Sequence, residues 1–433
     1  MHLRLLFAVT TGVLSASSGL AQARSVTLTE ALRRAESVDP QVTRAQGEVR
    51  NAGAGVKSAY GGYLPSLQTS ANFSNSTSAG ESRVDPVTGE VITGNVSSTG
   101  LNFGAGASYD LFTGFRRGKD ITAAKAQRAS AEAALDYERA QNRLRTTRAF
   151  VDAIQSATLV GVRRESIRRA EEQFRIAAAK LATRAVSIAD SLQAAVNVSQ
   201  ARLQLIADER QLASAEAALA RTVGETGRVS ATEDSSLSTL IAIADTAALI
   251  AEATNRAPEV LRTDAAERAA RAALGATKAQ YFPSLNLSAN SQFAGNKAND
   301  YQFFNSRSLG LGLSWQIFNR FQREQQVARG RSDVETAITQ TADTRRRLAA
   351  DMLGRIASLR AAEERIQISQ ANVETLRALV RVHLERYRIG SIENDVLSRA
   401  QEQLNNAESD AVRARFDYVL AKAEIEALIG RTL

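Results

Sequence analysis

Side chains able to do covalent or metal chemistry are scarce in this 433-residue chain. It has no cysteine, two histidines (His2 and His383) and two methionines (Met1 and Met352). Thiol nucleophiles, zinc–thiolate sites and disulfides are therefore excluded. One internal methionine cannot build a thioether relay for a soft metal. His383 stands in no pattern with a serine and an acid that general-base catalysis would use, and no glycine-rich phosphate loop occurs. A solvated helix residue is the simpler reading of His383. The residue types predict no enzyme, no cofactor and no metal site.

Lys and Arg number 54 against 46 acids, a net charge of +8. The arginines are interleaved with acids, as in Arg163-Arg164-Glu165 and Glu363-Glu364-Arg365. That is the pattern of a solvated, ion-paired helix surface rather than a nucleic-acid footprint.

The spacing that stands out is a long repeat. Tyr63-Leu64-Pro65-Ser66-Leu67-Gln68-Thr69-Ser70-Ala71-Asn72 returns 218 residues later as Tyr281-Phe282-Pro283-Ser284-Leu285-Asn286-Leu287-Ser288-Ala289-Asn290. Gly104-x-Gly106-x-Ser108-Tyr109-x-Leu111-Phe112-x-x-Phe115 returns after 206 as Gly310-x-Gly312-x-Ser314-Trp315-x-Ile317-Phe318-x-x-Phe321. This is far longer than a solenoid unit; it is a duplicated half-protein. The smaller second offset places a longer insertion between the motifs of the first half.

The chain opens like an export signal: Arg4, an apolar stretch Leu5 to Leu14, and Ala21-Gln22-Ala23 as a cleavage site. Removal is expected after Ala23. No later stretch is long and apolar enough for a transmembrane helix.

Each half must then be built from helices around a short β-like block. Val26 to about Ala59 reads as a first helix, starting at Thr29-Glu30-Ala31-Leu32 and broken or re-entered at Asp39-Pro40. Gly61-Gly62 ends it, and Pro65 can open a strand without losing a needed donor. Leu67, Thr69, Ala71 and Phe73 alternate with Gln68, Ser70, Asn72 and Ser74. Leu101, Phe103, Ala105, Ala107, Tyr109 and Leu111 alternate with Asn102, Gly104, Gly106, Ser108 and Asp110. Ser78 to Ser98, rich in Ser, Thr, Gly and Asn, reads as the loop between them. In the second half Leu309, Leu311, Leu313, Trp315 and Ile317 alternate with Ser308, Gly310, Gly312, Ser314 and Gln316, behind a shorter loop near Asn296 to Asn305.

Strands of this length suit a membrane barrel or a soluble sheet with one buried face. Four strands cannot close a barrel, and lipid does not tolerate an open edge. Spanning would require chains to pool their strands, and three chains give twelve.

Arg116 to Ala182 has neither proline nor a glycine pair and would run roughly 100 Å as a helix. Val160, Ile167, Phe174 and Leu181 recur every seven residues, as do Met352, Leu359, Ile366, Val373, Val380 and Tyr387. That repeat predicts supercoiling against a partner helix. The domain reading is a signal at 1–23, repeat 1 at 24–225, a linker at 226–246 and repeat 2 at 247–433. Within repeat 1 the strands fall at about 65–78 and 97–112, the long helix at 116–182 and the return helix at 187–224. In repeat 2 the strands fall at about 283–295 and 307–318, the long helix at 320–388 and the return helix at 394–430. The linker is Ser-rich, with a short helix expected near Leu237–Ile243.

The export signal, the two repeats of helix, hairpin, long helix and return helix, and the paired motifs together resemble the TolC family of outer-membrane efflux proteins, from about Val26 to Leu433. The resemblance implies a homotrimer with a 12-stranded β-barrel in the outer-membrane lipid and an α-helical coiled-coil tunnel through the periplasm. It implies an exit duct for small molecules or proteins, partnered by a periplasmic adaptor and an inner-membrane pump, with no nucleic acid involved.

The resemblance also assigns residues. Family tunnels narrow at the periplasmic tips, where acids of the second repeat form rings; the matching stretch is Tyr387 to Leu397. Asp395 and Glu393 become gate acids there, with Arg388 and Arg399 as bridging partners. Ser398 stands where a second acid is expected, which departs from a double ring. Asp395 at a helix start is equally explained by the helix dipole. Family tips dock the adaptor, which points to Arg184, Ala185, Val186 and Ser187 in one turn and Gly390, Ser391 and Ile392 in the other. Arg184 replaces the family's usual glycine. Tyr109, Phe112, Trp315 and Phe318 fit a membrane-boundary belt or, singly, core packing. The competing reading is a periplasmic coiled-coil adaptor or scaffold, which explains the heptads but not four alternating strands.

Overall fold

The computed structural model describes residues 24–79, 83–84, 86–92, 95–233, 245–296 and 300–433. The expected export signal and the short helix expected near Leu237–Ile243 lie outside the described residues. The elements in chain order are β1 (Arg24–Val26), α1 (Leu28–Val38), α2 (Pro40–Gly61), β2 (Ser66–Ala79), β3 (Arg83–Val84), β4 (Val91–Ile92), β5 (Asn95–Phe112), α3 (Arg116–Ala182), α4 (Ile188–Thr222) and β6 (Val229–Ala231). Then follow α5 (Thr246–Arg256), α6 (Pro258–Lys278), β7 (Ser284–Asn296), β8 (Phe304–Ser314), α7 (Gln322–Arg388) and α8 (Asn394–Ile429).

The first helical stretch is two helices. Asp39 is extended (φ −65°, ψ 123°), as the proline that follows requires. Pro40 opens α2, where its missing N–H is not needed. The cap of α1 is Thr27 rather than Thr29: the Thr27 hydroxyl accepts from the Glu30 N–H at 3.3 Å.

The chain forms two compact units. One comprises the chain up to Asp39, Asn142–Ala242 and Ser358–Ala423; the other comprises Pro40–Gln141, Ile243–Ala357 and Glu424–Leu433. The first holds the larger apolar core, where Val26, Ala31, Phe150, Ile154, Leu219, Val223, Val229 and Phe416 are buried together. β1 pairs in parallel with β6 inside that unit, a contact the sequence reading did not anticipate. Nearby, α7 packs on α8 through Val373, Val380, Ala400 and Leu404.

The seven-residue stripe of α7 is the buried one: Met352, Leu359, Ile366, Val373, Val380 and Tyr387 are all in the core. On α3 the expectation needs correction. Val160 is buried, but Phe174 is 38 % exposed, and Ile167 and Leu181 are only half-buried. The buried stripe is Ser166, Ala170, Gln173 and Ala177, one residue N-terminal of the apolar one. Small and polar residues form this seam because Gln173 finds hydrogen-bond partners across it (below), and small side chains let helices approach closely.

The second unit holds a four-stranded antiparallel sheet in the order β2-β5-β7-β8. Its register sets every side chain's face. Leu67, Ala107, Ala289 and Leu309 make one row, and Tyr109, Leu287 and Leu311 make the next on the same face. The opposite face carries Ser66, Ser108, Ser288 and Gly310, then Gln68, Gly106, Asn290 and Ser308. The repeated Gly-x-Gly belongs to this polar face. A Cβ on Gly106 would lie 2.7 Å from Asn290 Oδ1, so the glycine leaves room for long polar neighbours to lie across the strand. Asp110 and Phe112 bracket a bulge that turns β5 toward α3. β8 ends at Ser314, short of the expected boundary, so Trp315, Ile317 and Phe318 lie in the connection to α7. β3 and β4 pair within the stretch read as a loop.

Candidate functional site

The two helix–helix turns of the first unit are the same device. α3 ends with the Arg184 N–H bonded to the Leu181 carbonyl and the Ala185 N–H to the Lys180 carbonyl, both at 2.9 Å. α7 ends with the Gly390 N–H on Tyr387 (3.1 Å) and the Ser391 N–H on Arg386 (2.9 Å). Both are Schellman caps, whose penultimate residue must be left-handed. Gly390 takes that role at φ 83° without strain, whereas Arg184 takes it at φ 60° with a side chain. After the first turn Ser187 caps α4 in a reciprocal box with Asp190: the Asp190 N–H bonds Ser187 Oγ at 3.2 Å and the Ser187 N–H bonds Asp190 Oδ2 at 3.1 Å. Arg184, Ala185, Ser187, Gly390 and Ser391 are exposed, and Val186 and Ile392 half-buried.

Asp395 and Glu393 are both exposed at the start of α8. Arg399, one turn on, holds the Asp395 carboxylate at 2.7 Å. Arg388 does not join them; it reaches Glu172 on α3 (3.1 Å) and Glu385 on its own helix (3.0 Å). Of the four expected gate residues the structure thus brings two together.

Behind the turns runs a buried polar seam. Gln173 Nε2 donates to Asn394 Oδ1 (2.6 Å) and Ser398 Oγ (2.8 Å), and Asn197 Nδ2 donates to the same Ser398 hydroxyl (3.0 Å). Ser398, read as a missing acid, is the centre of this network. The Lys180 ammonium donates to the Tyr387 carbonyl and lies 4.4 Å from the Tyr387 ring centre. Tyr387 is fully buried, and its hydroxyl has no hydrogen-bond partner among the described residues. Burial, and secondarily the nearby Asp190, pushes the Tyr387 phenol up from its ordinary value.

In the second unit the junctions of strand and long helix carry the aromatics. Phe112 meets Phe115 edge-on at 5.3 Å and Phe115 meets Phe282 at 5.7 Å; Phe318 meets Phe321 at 5.3 Å. The Trp315 indole donates to the Tyr281 carbonyl at 3.3 Å. Trp315 and Phe318 are exposed, Phe112 is at the margin of exposure and Tyr109 is half-buried.

Two arginines that the sequence reading overlooked organise these junctions. Arg323 donates to the Gln316 carbonyl (2.7 Å) and the Ile317 carbonyl (3.1 Å), with its guanidinium 4.5 Å from the Tyr281 ring centre. Arg117 donates to the Asp110 carbonyl and stacks at 5.1 Å on Tyr63 and 5.3 Å on Tyr109. Each clasp ties the last turn of a hairpin to the first turn of a long helix. Arg117 and Arg323 are separated by the same 206 residues as the second motif pair, a signal that was present in the sequence.

No cluster of metal-binding side chains occurs among the described residues, and no described helix is long and apolar enough to cross a membrane. The arrangement offers an amphipathic sheet and charged helix tips.

The family model for outer membrane efflux proteins matches residues 31–225 and 249–431. Among relatives, the toluene efflux pump outer membrane protein TtgC of Pseudomonas putida is 24% identical over 200 residues, 42% of this chain and 38% of that protein. The chain therefore spans well under half the length of the relatives it matches in sequence. The CusC crystal structure superposes with a TM-score of 0.77 at 15% identity, covering 93% of this chain and 92% of that one. VceC of Vibrio cholerae superposes at 0.71 with 16% identity, covering 94% and 96%.

Proposed function

Because the chain belongs to the outer membrane efflux protein family, we propose that it is the outer-membrane exit duct of a pump, passing solutes passively to the outside. Three copies pool their sheets into one 12-stranded barrel, and their long helices line a periplasmic tunnel. The observation that carries this reading is the four-stranded sheet of the second unit. One face is apolar and the other is built of Ser, Asn, Gln and Gly, the alternation of a lipid-facing and a water-facing wall. Among the described residues β2 and β8 are paired on one side only, and lipid would not tolerate those edges left open.

The tips of the first unit are the adaptor-docking and gating end in this reading. Asp395 copies gather near the threefold axis and favour cations, with Arg399 damping the repulsion between them. Arg184, Ala185, Val186 and Ser187, with Gly390, Ser391 and Ile392, offer the adaptor its surface. The pump behind the adaptor supplies the energy.

Planar-bilayer conductance of the detergent-purified protein tests the proposal. Small, cation-selective openings are expected. A protein that stays soluble without detergent and never conducts would instead be a soluble scaffold.

A further inference from the structure

Among the described residues one charged side chain lies on the apolar face of the sheet. Arg307 of β8 is in register with Ser291, and through Ser291 with Ala105 and Thr69. Its side chain is exposed and has no hydrogen-bond or ion-pair partner among the described residues. Arginine on a lipid-facing strand is costly at mid-depth and tolerated near an interface, where its stem can carry the guanidinium to the headgroups. The register gives its depth. The next row toward the β7–β8 turn contains Phe103, Phe293 and Asn305, and Phe103 contacts Phe303 at 5.9 Å. Arg307 is thus about 7 Å along the strand from an aromatic row, at the end of the sheet away from the helices.

The surface beside Arg307 is shaped as well as charged. Ala105, Ala107, Ala289 and Ser291 form a low floor between Leu67 and Leu309, leaving an open hollow of about 650 Å³ that Arg307 borders. On the other face Asn290 and Gln68 cover Gly106, so the hollow belongs to the apolar side. Ser291, the cross-strand partner of Arg307, donates from Oγ to Asn305 Oδ1 at 3.2 Å. A cation and a polar pair thus border a floor made mostly of alanine.

We propose that this face binds an outer-leaflet lipid whose headgroup carries phosphate. Arg307 pairs with the phosphate and one acyl chain lies along the alanine floor. The inference rests on the barrel reading above: the helices enter from the periplasm, so the turn end of the sheet is the outer leaflet. A guanidinium matches phosphate by charge and by its forked donors; a zwitterionic headgroup sets its own cation beside its phosphate and so competes with Arg307, and a dephosphorylated one has no anion to pair.

Native mass spectrometry of the purified protein with diphosphorylated lipid A, dephosphorylated lipid A and phosphatidylethanolamine tests this, with bilayer conductance measured on each sample. Wild type should retain the diphosphorylated lipid preferentially. Arg307→Gln should lower that retention about five-fold, the contribution of one surface cation, while conductance stays unchanged; Arg307→Lys should keep most of it. Equal retention by Arg307→Gln, or equal retention of the dephosphorylated lipid by wild type, would overturn the proposal. So would displacement of the lipid by millimolar inorganic phosphate, which would mark a soluble-anion site. A wild type that forms no channel fails the barrel reading itself, a result the conductance arm reports separately.

Discussion

The guanidinium of Arg323 lies 4.5 Å from the ring centre of Tyr281 and donates to two carbonyls at the end of the second hairpin. Arg117 does the same work for the first hairpin with Tyr63 and Tyr109. Arg323 is only 8 % exposed, so its removal leaves carbonyls without donors. Arg323→Ala should destabilise by about 3 kcal/mol, from two charge-assisted bonds and a stacked cation. Arg323→Lys should recover less than half, because an ammonium cannot reproduce the fork. The melting temperature of the purified protein in detergent, compared with wild type, checks both.

The two strand-to-helix turns use left-handed residues at matching places: Gly114 (φ 62°) and Phe115 (φ 62°), then Arg320 (φ 58°) and Phe321 (φ 62°). A Cβ on Gly114 would lie 2.5 Å from Phe282 Cβ. Gly114→Ala therefore meets both a backbone and a packing obstacle and should cost about 2 kcal/mol or more. Arg320→Gly relieves strain at the equivalent place and should stabilise by about 0.5 kcal/mol. Opposite signs at equivalent positions are the result to look for in the same melting experiment.

Tyr387 buries a hydroxyl that has no partner among the described residues. Tyr387→Phe keeps the ring against Lys180 and should stabilise by about 1 kcal/mol. The substitution should also change the pH response. The folded phenol titrates above its unfolded value because burial disfavours the phenolate. The unfolded chain therefore loses that proton first, and stability falls as pH rises above about 10. Unfolding midpoints at pH 9 and pH 11 should show a smaller alkaline loss in Tyr387→Phe than in wild type.

Asp395 and Arg399 are joined at 2.7 Å, so under the proposed gating role their replacements should act in opposite directions on conduction. Asp395→Ala should raise conductance and weaken block by divalent cations. Arg399→Ala frees the carboxylates and should strengthen both cation selectivity and block. Reversal potentials in a salt gradient, with and without magnesium, separate the two; unchanged values in both variants would remove Asp395 from the gate.

The sheet was legible in the sequence because strands alternate strictly, and the Leu and Ala rows stand apart from Ser, Asn and Gly. The α7 seam was legible for a related reason: its buried residues are large and apolar from Met352 to Tyr387. The α3 seam was not. Ser166, Ala170, Gln173 and Ala177 give little hydrophobic contrast, and the exposed Phe174 drew the heptad one residue aside. The family resemblance marked Asp395 and Arg388 at the tip, but besides its helical neighbour Glu385 the partner of Arg388 is Glu172, 216 positions earlier in the chain. No local pattern announces such a pairing. The Tyr–Arg clasps could have been found, since Arg117 and Arg323 repeat at the motif's own spacing.

Among the described residues β2 and β8 are each paired on one side only, and in the proposed trimer that carries a genetic consequence. If a protomer satisfies its outer strands only by joining two others, a defective edge harms every assembly that it enters. A proline in the middle of β8, at Leu309, removes a ladder donor and should spoil whole trimers rather than single chains. Cells making equal amounts of both chains would keep only about one trimer in eight free of the variant. Such an allele would therefore be dominant over wild type, whereas an allele that merely prevents folding would be recessive.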